Sequence, residues 1–308
     1  MPAASTTLRM GGYQGPASVH TRGAHLLAEE LGRRTNGACG VAITDNITAL
    51  GRQSIALFDM VEGDELDLCY FASSYLVQRV PNLAIFDLPF TISSRQQITS
   101  LLDTGLGRDL AADVAARTGF EVLGFWDNGC RHLSNRVRPI ARPDDCRGLV
   151  MRTMNSAVHL DTFRALGFEP RFIDVKDFVE AVRSHTVDAQ ENPLTNTVNF
   201  KIHATHRFVS LSAHFYGVAL VLGNAKRIGA LPSPVRKALQ ESVAAATKAQ
   251  RAYAVDEDEK CLAALLAAGV EVIESEAFDR AAFVRATADV VSRTKGTIDA
   301  KVLAYFGI

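Results

Sequence analysis

Two residues, Arg152 and Asn192, have the types and positions best suited to ligand recognition. Arg152 ends an otherwise apolar run that begins at Leu149, and Asn192 follows a short strand predicted at Val187–Ala189. An unpaired charge in an apolar strand is costly, so the guanidinium requires a partner. Arginine presents a planar fork of donors that matches a carboxylate, and an asparagine amide can add another donor. We interpret the two side chains as one wall of a cleft that holds a carboxylate.

A purely structural role for Arg152 is equally compatible with the spacing. Its partner could be an acidic residue of the same chain, for instance Asp188 or Glu191. Such an internal salt bridge would satisfy the buried charge as well as a ligand would. Arg131, which follows a predicted crossing between domains, could supply a second cation.

Catalytic and metal-binding patterns are weak by comparison. A nucleophilic enzyme needs a serine or cysteine with a histidine and an orienting acid. No Gly-x-Ser-x-Gly elbow occurs, and the histidines are scattered, at positions 20, 25, 132, 159, 185, 203, 206 and 214. His203 and His206 have i, i+3 spacing but no acidic or cysteine companion at ligand spacing. The sequence therefore predicts no enzyme, no metal site and no cofactor.

A glycine cluster, Gly11-Gly12-Tyr13-Gln14-Gly15, is a weak signal for phosphate binding. It lacks the lysine of a P-loop and the spacing of a dinucleotide fingerprint. The cluster predicts a tight turn or a close approach of the backbone to a ligand.

Composition bounds the remaining classes of function. The chain has 308 residues, is 47% hydrophobic and carries a formal net charge of −1, which predicts two domains and argues against general nucleic-acid binding. No window approaches the roughly 18 apolar residues of a membrane span. The first residues, Met-Pro-Ala-Ala-Ser-Thr-Thr, predict no signal peptide. Two interpretations of this N-terminus are compatible with the sequence: an intact cytoplasmic protein, or a mature chain with an added start methionine.

The five cysteines predict free thiols. They form no Cys-x-x-Cys pair and lie at positions 39, 69, 130, 146 and 261. A Cys130–Cys146 disulfide stays open as the alternative, but no disulfide framework is indicated.

Strand and helix signals alternate along the first half, which predicts a parallel α/β sheet. The predicted strands are Leu8–Met10, Cys39–Thr44, Leu66–Phe71 and Phe120–Trp126; the predicted helices are Ser18–Leu31, Leu50–Glu62 and one or two within Arg95–Thr118. Asp127-Asn128-Gly129 predicts a turn that ends the fourth strand, with a domain crossing near Trp126–Arg131. Ligands bind beyond the carboxyl ends of such strands. The loops Gly11–Gly15 and Ala72–Tyr75 should therefore face a cleft.

The second half repeats this alternation and should build its own sheet. Its predicted strands are Leu149–Thr153, Pro170–Ile173, Val187–Ala189, Phe208–Ser212, Val218–Leu222 and Val270–Ile273, with Gln190–Pro193 breaking the third. A long helix is predicted from Pro234 to about Ala268, with Ser233 as its cap. At 1.5 Å per residue it would be roughly 50 Å long and would span both domains. The segment Ala277–Ala304 should be mostly helical.

Three motifs together resemble the substrate-binding proteins of tripartite ATP-independent periplasmic (TRAP) transporters, of the dicarboxylate-binding type. They are Gly148-Leu-Val-Met-Arg152, Asp188-Ala-Gln-Glu-Asn-Pro193 and Asp127-Asn-Gly-Cys-Arg-His132, with weaker matches at Asp87-Leu-Pro-Phe90, His214 and Tyr216. The likeness covers nearly the whole chain. Two departures stand out: Asp177 where many members carry glutamate, and no signal peptide.

The resemblance implies a two-lobed α/β fold that closes on its ligand around a hinge, each lobe a sheet flanked by helices, with a long helix across both. The first lobe would comprise residues 1–127 plus about 213–250, and the second lobe about 128–212 plus 251–308. Arg152 would form a bidentate salt bridge to the ligand carboxylate, Asn192 would hydrogen-bond it, and Arg131 would lie in the same wall. The resemblance further implies a periplasmic monomer that delivers its ligand to the transporter's membrane subunits.

Polar and aromatic residues near the predicted strand ends should complete the cleft. They are Tyr13, Gln14, Ser73, Ser74, Tyr75, Trp126, Asn128, His214, Phe215 and Tyr216. Aromatics at a cleft suit an acid with an apolar or aromatic body, although packing in the core or hinge is an equal alternative. We expect a monocarboxylate, such as an aromatic or 2-oxo/2-hydroxy acid, ahead of a C4-dicarboxylate or a uronate. The rival classes are a binding protein of an ABC-type importer and a two-domain α/β enzyme.

Overall fold

A computed structural model describes residues 6–92 and 94–308 of the chain. Its strands are β1 (Thr6–Gly11), β2 (Cys39–Thr44), β3 (Leu68–Ala72), β4 (Phe120–Asn135), β5 (Val150–Thr153), β6 (Glu169–Phe172), β7 (Ala189–Asn192), β8 (Phe208–Asn224) and β9 (Glu271–Ile273).

The α-helices flank these strands. They are α1 (Val19–Arg34), α2 (Ala56–Glu62), α3 (Arg95–Leu102), α4 (Gly105–Arg117), α5 (Ala157–Ala165), α6 (Val175–Arg183), α7 (Leu194–Asn199), α8 (Ala225–Gly229), α9 (Ser233–Ala267), α10 (Arg280–Ala286), α11 (Ala288–Lys295) and α12 (Ala300–Ala304). Short 3₁₀ helices cover Ile47–Leu50, Ser73–Leu76, Pro81–Asp87, Pro143–Cys146 and Ile202–Ala204.

The strands form one hydrogen-bonded sheet, in the order β2-β1-β3-β8-β4-β7-β5-β6, with β9 beside β8. Pairing is parallel within β2-β1-β3 and within β7-β5-β6. The central strands β4 and β8 are antiparallel to each other and join the two halves. The predicted α/β class, with a central sheet flanked by helices, is confirmed. The second half does not build a separate sheet, because the two long strands run through both halves.

The predicted turn at Asp127-Asn128-Gly129 is wrong, since β4 continues through it. Gly129 adopts a left-handed φ of 81° and the pairing with β8 shifts register beside it. The residues that predicted a turn therefore form a bulge in a long strand. Glycine adopts the positive φ of this bulge without a steric cost. The two strands predicted within 208–222 are likewise one strand, β8, in which Ala213 has a positive φ of 41°.

The predicted break at Gln190–Pro193 begins too early. Gln190, Glu191 and Asn192 belong to β7 and are buried. Their polarity suggested a loop, but pairing with β4 satisfies the backbone and neighbouring side chains satisfy the polar groups. Elsewhere, the helix predicted at Leu50–Glu62 begins only at Ala56, and the predicted C-terminal helix is divided into α10, α11 and α12.

Helix α9 confirms the predicted long helix to within a residue or two, but the predicted cap is wrong, because Ser233 is the first helical residue and Pro232 occupies the N-cap position without a side-chain hydrogen bond. Near its start, Leu239 and Val243 pack into the core cluster that also holds β1 and β3. Near its end, Cys261 and Leu265 pack with Val209 and Val270. One helix therefore packs into two separate core clusters.

The division into two lobes stays a prediction. Strand pairing is compatible with it, because β3 pairs with Ala219–Gly223 of β8 whereas β7 pairs with His132–Asn135 of β4. The final helix fits the first lobe better than the second, since Val302 of α12 belongs to the core cluster of β1 and β3.

Three further features of the described residues bear on function. None of their helices combines the length and apolar character that crossing a membrane requires. They contain no group of three or more His, Cys, Asp or Glu side chains arranged to hold a metal ion. Each of the five cysteines is a free thiol, so Cys130 and Cys146 are not paired.

Candidate functional site

Arg152 is a buried cation without an acidic partner among the described residues. It lies in β5 and is 2% exposed. Its Nε donates to the carbonyl oxygen of Ile173 at 2.9 Å, and its guanidinium carbon lies 4.4 Å from the centre of the Phe178 ring. Its Nη2 has no hydrogen-bond partner in the described part of the chain. Burial lowers the pKa of Arg152, the expected response of a cation that has lost its hydration.

The internal salt bridge considered for Arg152 is not formed. Asp188 instead accepts from Arg136 Nη2 at 2.5 Å and from the backbone N–H of Val150 at 3.0 Å. Glu191 is engaged by Arg131. Both carboxylates therefore bond to other arginines, and Arg152 keeps a donor without a partner among the described residues.

Arg152 faces a small enclosed cavity between the β1, β3 and β4 side and the β5, β7 and α6 side of the sheet. Its polar wall is formed by Tyr13, Tyr75, Asn128, Arg131, Arg152, Asn192 and Asn196. The cavity measures about 20 Å³, room for about one water molecule. Sites for small molecules usually measure hundreds of Å³. An acid of several carbons therefore needs the cleft to widen and re-close around it.

Three buried polar atoms in this wall have no hydrogen-bond partner among the described residues: Arg152 Nη2, Tyr75 Oη and Asn128 Oδ1. Buried polar groups normally find partners, so such a cluster needs an explanation. Burial raises the pKa of Tyr75, so its hydroxyl keeps its proton and can donate. The guanidinium and phenol donors suit a carboxylate, and the asparagine oxygen suits a hydroxyl on the same ligand.

Arg131 lies in the same wall, but its charge is neutralised inside the protein. Its Nε donates to Glu191, and its Nη2 donates to Glu191 Oε1 at 2.9 Å and to Asn192 Oδ1 at 3.2 Å. The amide nitrogen of Asn192 donates to Gln190 Oε1 at 2.6 Å. The sequence correctly places Arg131 and Asn192 beside Arg152. It does not anticipate that Glu191 offsets the charge of Arg131.

Glu191 is the centre of a buried charge network that the sequence did not reveal. His159 Nδ1 lies 3.8 Å from its carboxylate and His214 Nε2 lies 3.7 Å away. Although its burial alone would raise its pKa, Arg131 and the two histidines hold the pKa of Glu191 well below its usual range. Glu191 is therefore ionised.

The two histidines of this network carry different charges. Burial alone would lower the pKa of His159, but Asp87, 3.1 Å from its Nε2, and Glu191 raise it to about 9. Burial lowers the pKa of His214. His159 is thus a cation at neutral pH, and His214 is a neutral neighbour of Glu191. Asp87 ends the 3₁₀ helix Pro81–Asp87 that follows β3, and His159 belongs to α5, so the network joins elements from the two halves of the chain.

Several predicted cleft aromatics pack elsewhere. The Trp126 ring lies 5.7 Å from the Tyr70 ring, and its Nε1 donates to Thr247 of α9 at 3.1 Å. Phe215 stacks on His159 with ring centres 4.2 Å apart. Tyr216 is buried next to Asp127. These three residues pack in the protein interior, which was the alternative to lining the cleft. Tyr13 and Tyr75 line the cavity.

Only some of the predicted polar residues line the cavity. Ser74 Oγ donates to Asp87 at 2.6 Å, and Ser73 Oγ is buried without a partner among the described residues. His214 belongs to the Glu191 network. Gln14 lines an adjoining chamber rather than the cavity itself. Of the polar predictions, Asn128 lines the cavity with Arg131, Arg152 and Asn192.

Sequence reasoning missed five cavity residues: Met154, Val175, Phe178, Asn196 and Phe200. Phe178 is a buried residue of α6, and an apolar residue type gives by itself no signal for a binding site. Asn196 stands four residues after Asn192, on the first turn of α7. Asn192 ends a strand, so no helical spacing links the two residues, and only the structure shows that Asn196 Nδ2 donates to Asn192 Oδ1 at 3.3 Å.

A larger cavity, about 640 Å³, lies between β4 and α9. It is lined by residues such as Leu123, Phe125 and Lys248, and none of the buried unpartnered polar atoms of the described chain lies in its wall. The Arg152 cavity, which does hold such atoms, is therefore the candidate functional site.

Known proteins resemble this chain over most of its length. A family model described as bacterial extracellular solute-binding protein, family 7, matches residues 10–296. A solute-binding protein of Verminephrobacter eiseniae is 31% identical over 94% of this chain and 84% of its own length. The 2,3-diketo-L-gulonate-binding periplasmic protein of Escherichia coli is 29% identical over 91% of this chain and 84% of its own length.

Solved structures share the whole fold. A TRAP periplasmic solute-binding protein from Bordetella bronchispeptica superposes with a TM-score of 0.91 at 28% identity, covering 98% of each chain. One from a Polaromonas species, bound to D-erythronate, superposes with a TM-score of 0.92 at 26% identity, covering 99% of each chain.

Proposed function

Since the chain belongs to the family of bacterial extracellular solute-binding proteins, family 7, we propose that it captures a small organic acid in the periplasm and delivers it to the membrane subunits of a TRAP transporter. The ligand is held by one carboxylate in the cavity at Arg152. Family membership favours this function over an ABC-type importer or an enzyme. Relatives with printed ligands bind organic acids, among them diketogulonate and erythronate.

The unused donor of Arg152 is the observation that carries the proposal. A protein that folds without a ligand gains nothing from burying a guanidinium with one nitrogen unpaired. A ligand carboxylate would satisfy that nitrogen and restore charge balance in the cavity. Tyr75 would donate to the same carboxylate, and Asn192 would hold it from the β7 side. In a closed cleft, such a charge-assisted pair is stronger than on a surface.

Closure of the cleft is the second part of the proposed mechanism. The loop before α2 and the start of α6 meet across the cleft mouth, where Ser54 N–H and Oγ both donate to Asp174, at 3.0 and 2.7 Å. Asp174 is also the N-cap of α6 and is 5% exposed. We propose that these bonds form when the lobes close and help to retain the ligand.

Ser54→Ala is expected to weaken ligand binding about tenfold to a hundredfold, because a hydrogen bond to a charged group contributes about 1.5–3 kcal/mol. Ser54 does not line the Arg152 cavity, so the effect would act through closure. Calorimetry would measure the affinity, and small-angle scattering would measure compaction on ligand addition. Ser184→Ala, at an exposed serine that ends α6, is the matched control. If Ser54→Ala bound the ligand as tightly as the parent protein, the proposed role of the Ser54–Asp174 hydrogen bonds in closure would be refuted.

A thermal-shift screen of organic acids tests the proposed function. A ligand at a hundred times its Kd should stabilise the folded protein by about 2.7 kcal/mol, which raises Tm by several degrees. We expect carboxylic acids to raise Tm and the corresponding amides to have no effect. A chemical assay of each stabilising acid after incubation should recover it unchanged. Turnover would favour an enzyme, and a screen without any stabilising acid would refute the proposal.

A further inference from the structure

An aromatic ring covers one face of the Arg152 guanidinium. The guanidinium carbon lies over the Phe178 ring, 4.4 Å from its centre, inside the distance of about 6 Å at which such a pair attracts. At the edge of the guanidinium, Nε donates to the carbonyl oxygen of Ile173 at 2.9 Å. One bond in the plane and one contact across it together fix the orientation of a planar group. The unpartnered Nη2 is thereby held at the cavity wall.

The Phe178 side chain is itself fixed by packing. It is fully buried on α6, and its ring stands perpendicular to the Phe200 ring with the centres 5.7 Å apart. It shares a core cluster with Val182 of the same helix. The helix begins directly after Ile173, because Asp174 caps it. The carbonyl and the ring that hold Arg152 therefore come from one short, well-packed stretch of the chain.

The contacts that hold Arg152 lie on one side of the cleft. Arg152, Ile173 and Phe178 all belong to the predicted second lobe, where β5 pairs with β6 and α6 follows. Tyr75, whose unpartnered hydroxyl lies in the same cavity wall, belongs to the predicted first lobe. In this division of the chain, cleft closure brings Tyr75 to the site, whereas the ring and the carbonyl hold the guanidinium in the open form as well.

Packing in the core is the alternative role for Phe178, and an alkyl side chain of similar size could fill the same space. Only an aromatic ring adds a negative face that attracts a cation. Arg152 needs such a group, because it is buried and its Nη2 has no partner among the described residues. The ring face replaces part of the hydration that the cation has lost. The two roles therefore predict different responses to a change in ring charge at nearly constant ring size.

We propose that Phe178 is a positioning residue for ligand binding, which holds the Arg152 guanidinium in the orientation that receives a carboxylate before the ligand arrives. The inference rests on the proposed function and extends it to the residue that orients the binding group. A long side chain that is free to rotate loses conformational entropy on binding, and one that is already held loses less. Since the ring contact is present with and without ligand, only this saving appears in the affinity, as about threefold to tenfold.

Replacement of Phe178 by mono-, di- and trifluorinated phenylalanine tests the role of the ring face. Fluorine withdraws electron density from the face and changes the size of the ring little, so the packing is nearly retained. Calorimetry would measure the affinity of the full chain for acetate, pyruvate and succinate. For the acid that binds most tightly, we expect affinity to fall with each added fluorine, about threefold to tenfold in total.

The same series at Phe283 is the matched control. Phe283 is equally buried, does not line the Arg152 cavity and has no cation over its ring among the described residues. Its fluorination should leave the affinity within about twofold, because the packing of a buried ring changes little and no cation depends on its face.

Nuclear magnetic relaxation of the Arg152 Nε–H group in the ligand-free protein measures the positioning directly. The signal is assigned by its loss in Arg152→Met. We expect an order parameter of about 0.85, typical of a rigid group, in the parent protein and below about 0.6 in Phe178→Leu. The fluorinated proteins give the same comparison, with a smaller decrease, if Phe178→Leu does not fold.

The outcomes separate this inference from the proposed function. If fluorination of Phe178 left both the affinity and the order parameter of Arg152 unchanged, Phe178 would only pack in the core, and the inference would be overturned while the proposed function stood. If none of the three acids bound the parent protein or shifted its Arg152 signal, the carboxylate site would be refuted and the inference with it.

Discussion

Arg152→Met is expected to weaken binding of the carboxylate ligand roughly a thousandfold, since removing one member of a buried pair costs about 3–5 kcal/mol. The same substitution should leave the ligand-free protein about as stable as before. It removes a buried cation whose Nη2 has no partner among the described residues, and this gain offsets the lost contacts with Phe178 and Ile173. Arg152→Met should therefore lose ligand affinity and keep its free energy of unfolding, whereas an ordinary core mutation lowers the free energy of unfolding.

Calorimetry with the preferred acid and urea unfolding without it would measure the two effects. Arg152→Lys is expected to bind almost as poorly, because a lysine keeps the charge but loses the planar fork. Arg171→Met is the matched control, since Arg171 pairs with Arg152 in register on β6 and is exposed. Near-normal affinity in Arg152→Met would refute the carboxylate site. A large loss of stability without ligand would instead indicate a structural role.

Glu191→Gln is expected to lower the free energy of unfolding by about 3–5 kcal/mol, a large part of the 5–15 kcal/mol typical of a native protein. The glutamine keeps the shape but removes the negative charge. Arg131 would then be left as a buried cation, beside His159, whose raised pKa also depends on Glu191. The energetic cost comes from the unpaired charges rather than from lost volume.

Urea unfolding of Glu191→Gln and Arg131→Met, singly and together, would measure this coupling. The double variant should lose less stability than the sum of the two single variants, because neither charge is then left alone. Glu121→Gln removes the carboxylate of a partly exposed pair with Arg236 and is expected to cost at most about 1 kcal/mol. If Glu191→Gln were no more destabilising than this control, the buried network would not stabilise the fold.

Elements with strong local signals were predictable from the sequence. The bounds of α9 follow from Pro234 and Gly269, which act within a few residues of the helix ends. The α/β class follows from the alternation of helical and extended periodicity. Local signals failed where long-range pairing overrides them. The turn residues Asp127–Gly129 become a bulge because β8 continues alongside β4.

The site, like the fold, has features that the sequence predicted and features that it did not. The sequence by itself determined that Arg152 needs a partner, since burying an unpaired charge is unfavourable in any fold. It also placed Asn192 and Arg131 near Arg152, through the order of strands and the family motifs.

Only the tertiary structure decided which charges are already paired. Asp188 and Glu191 lie one strand away from Arg152, yet they bond to Arg136 and Arg131, because β7 pairs directly with β4. The structure likewise decided that Trp126 and Phe215 face packed neighbours rather than the cavity. The partner of a buried charge and the direction of an aromatic side chain both depend on contacts between residues far apart in the chain. A local pattern of residue types does not encode such contacts.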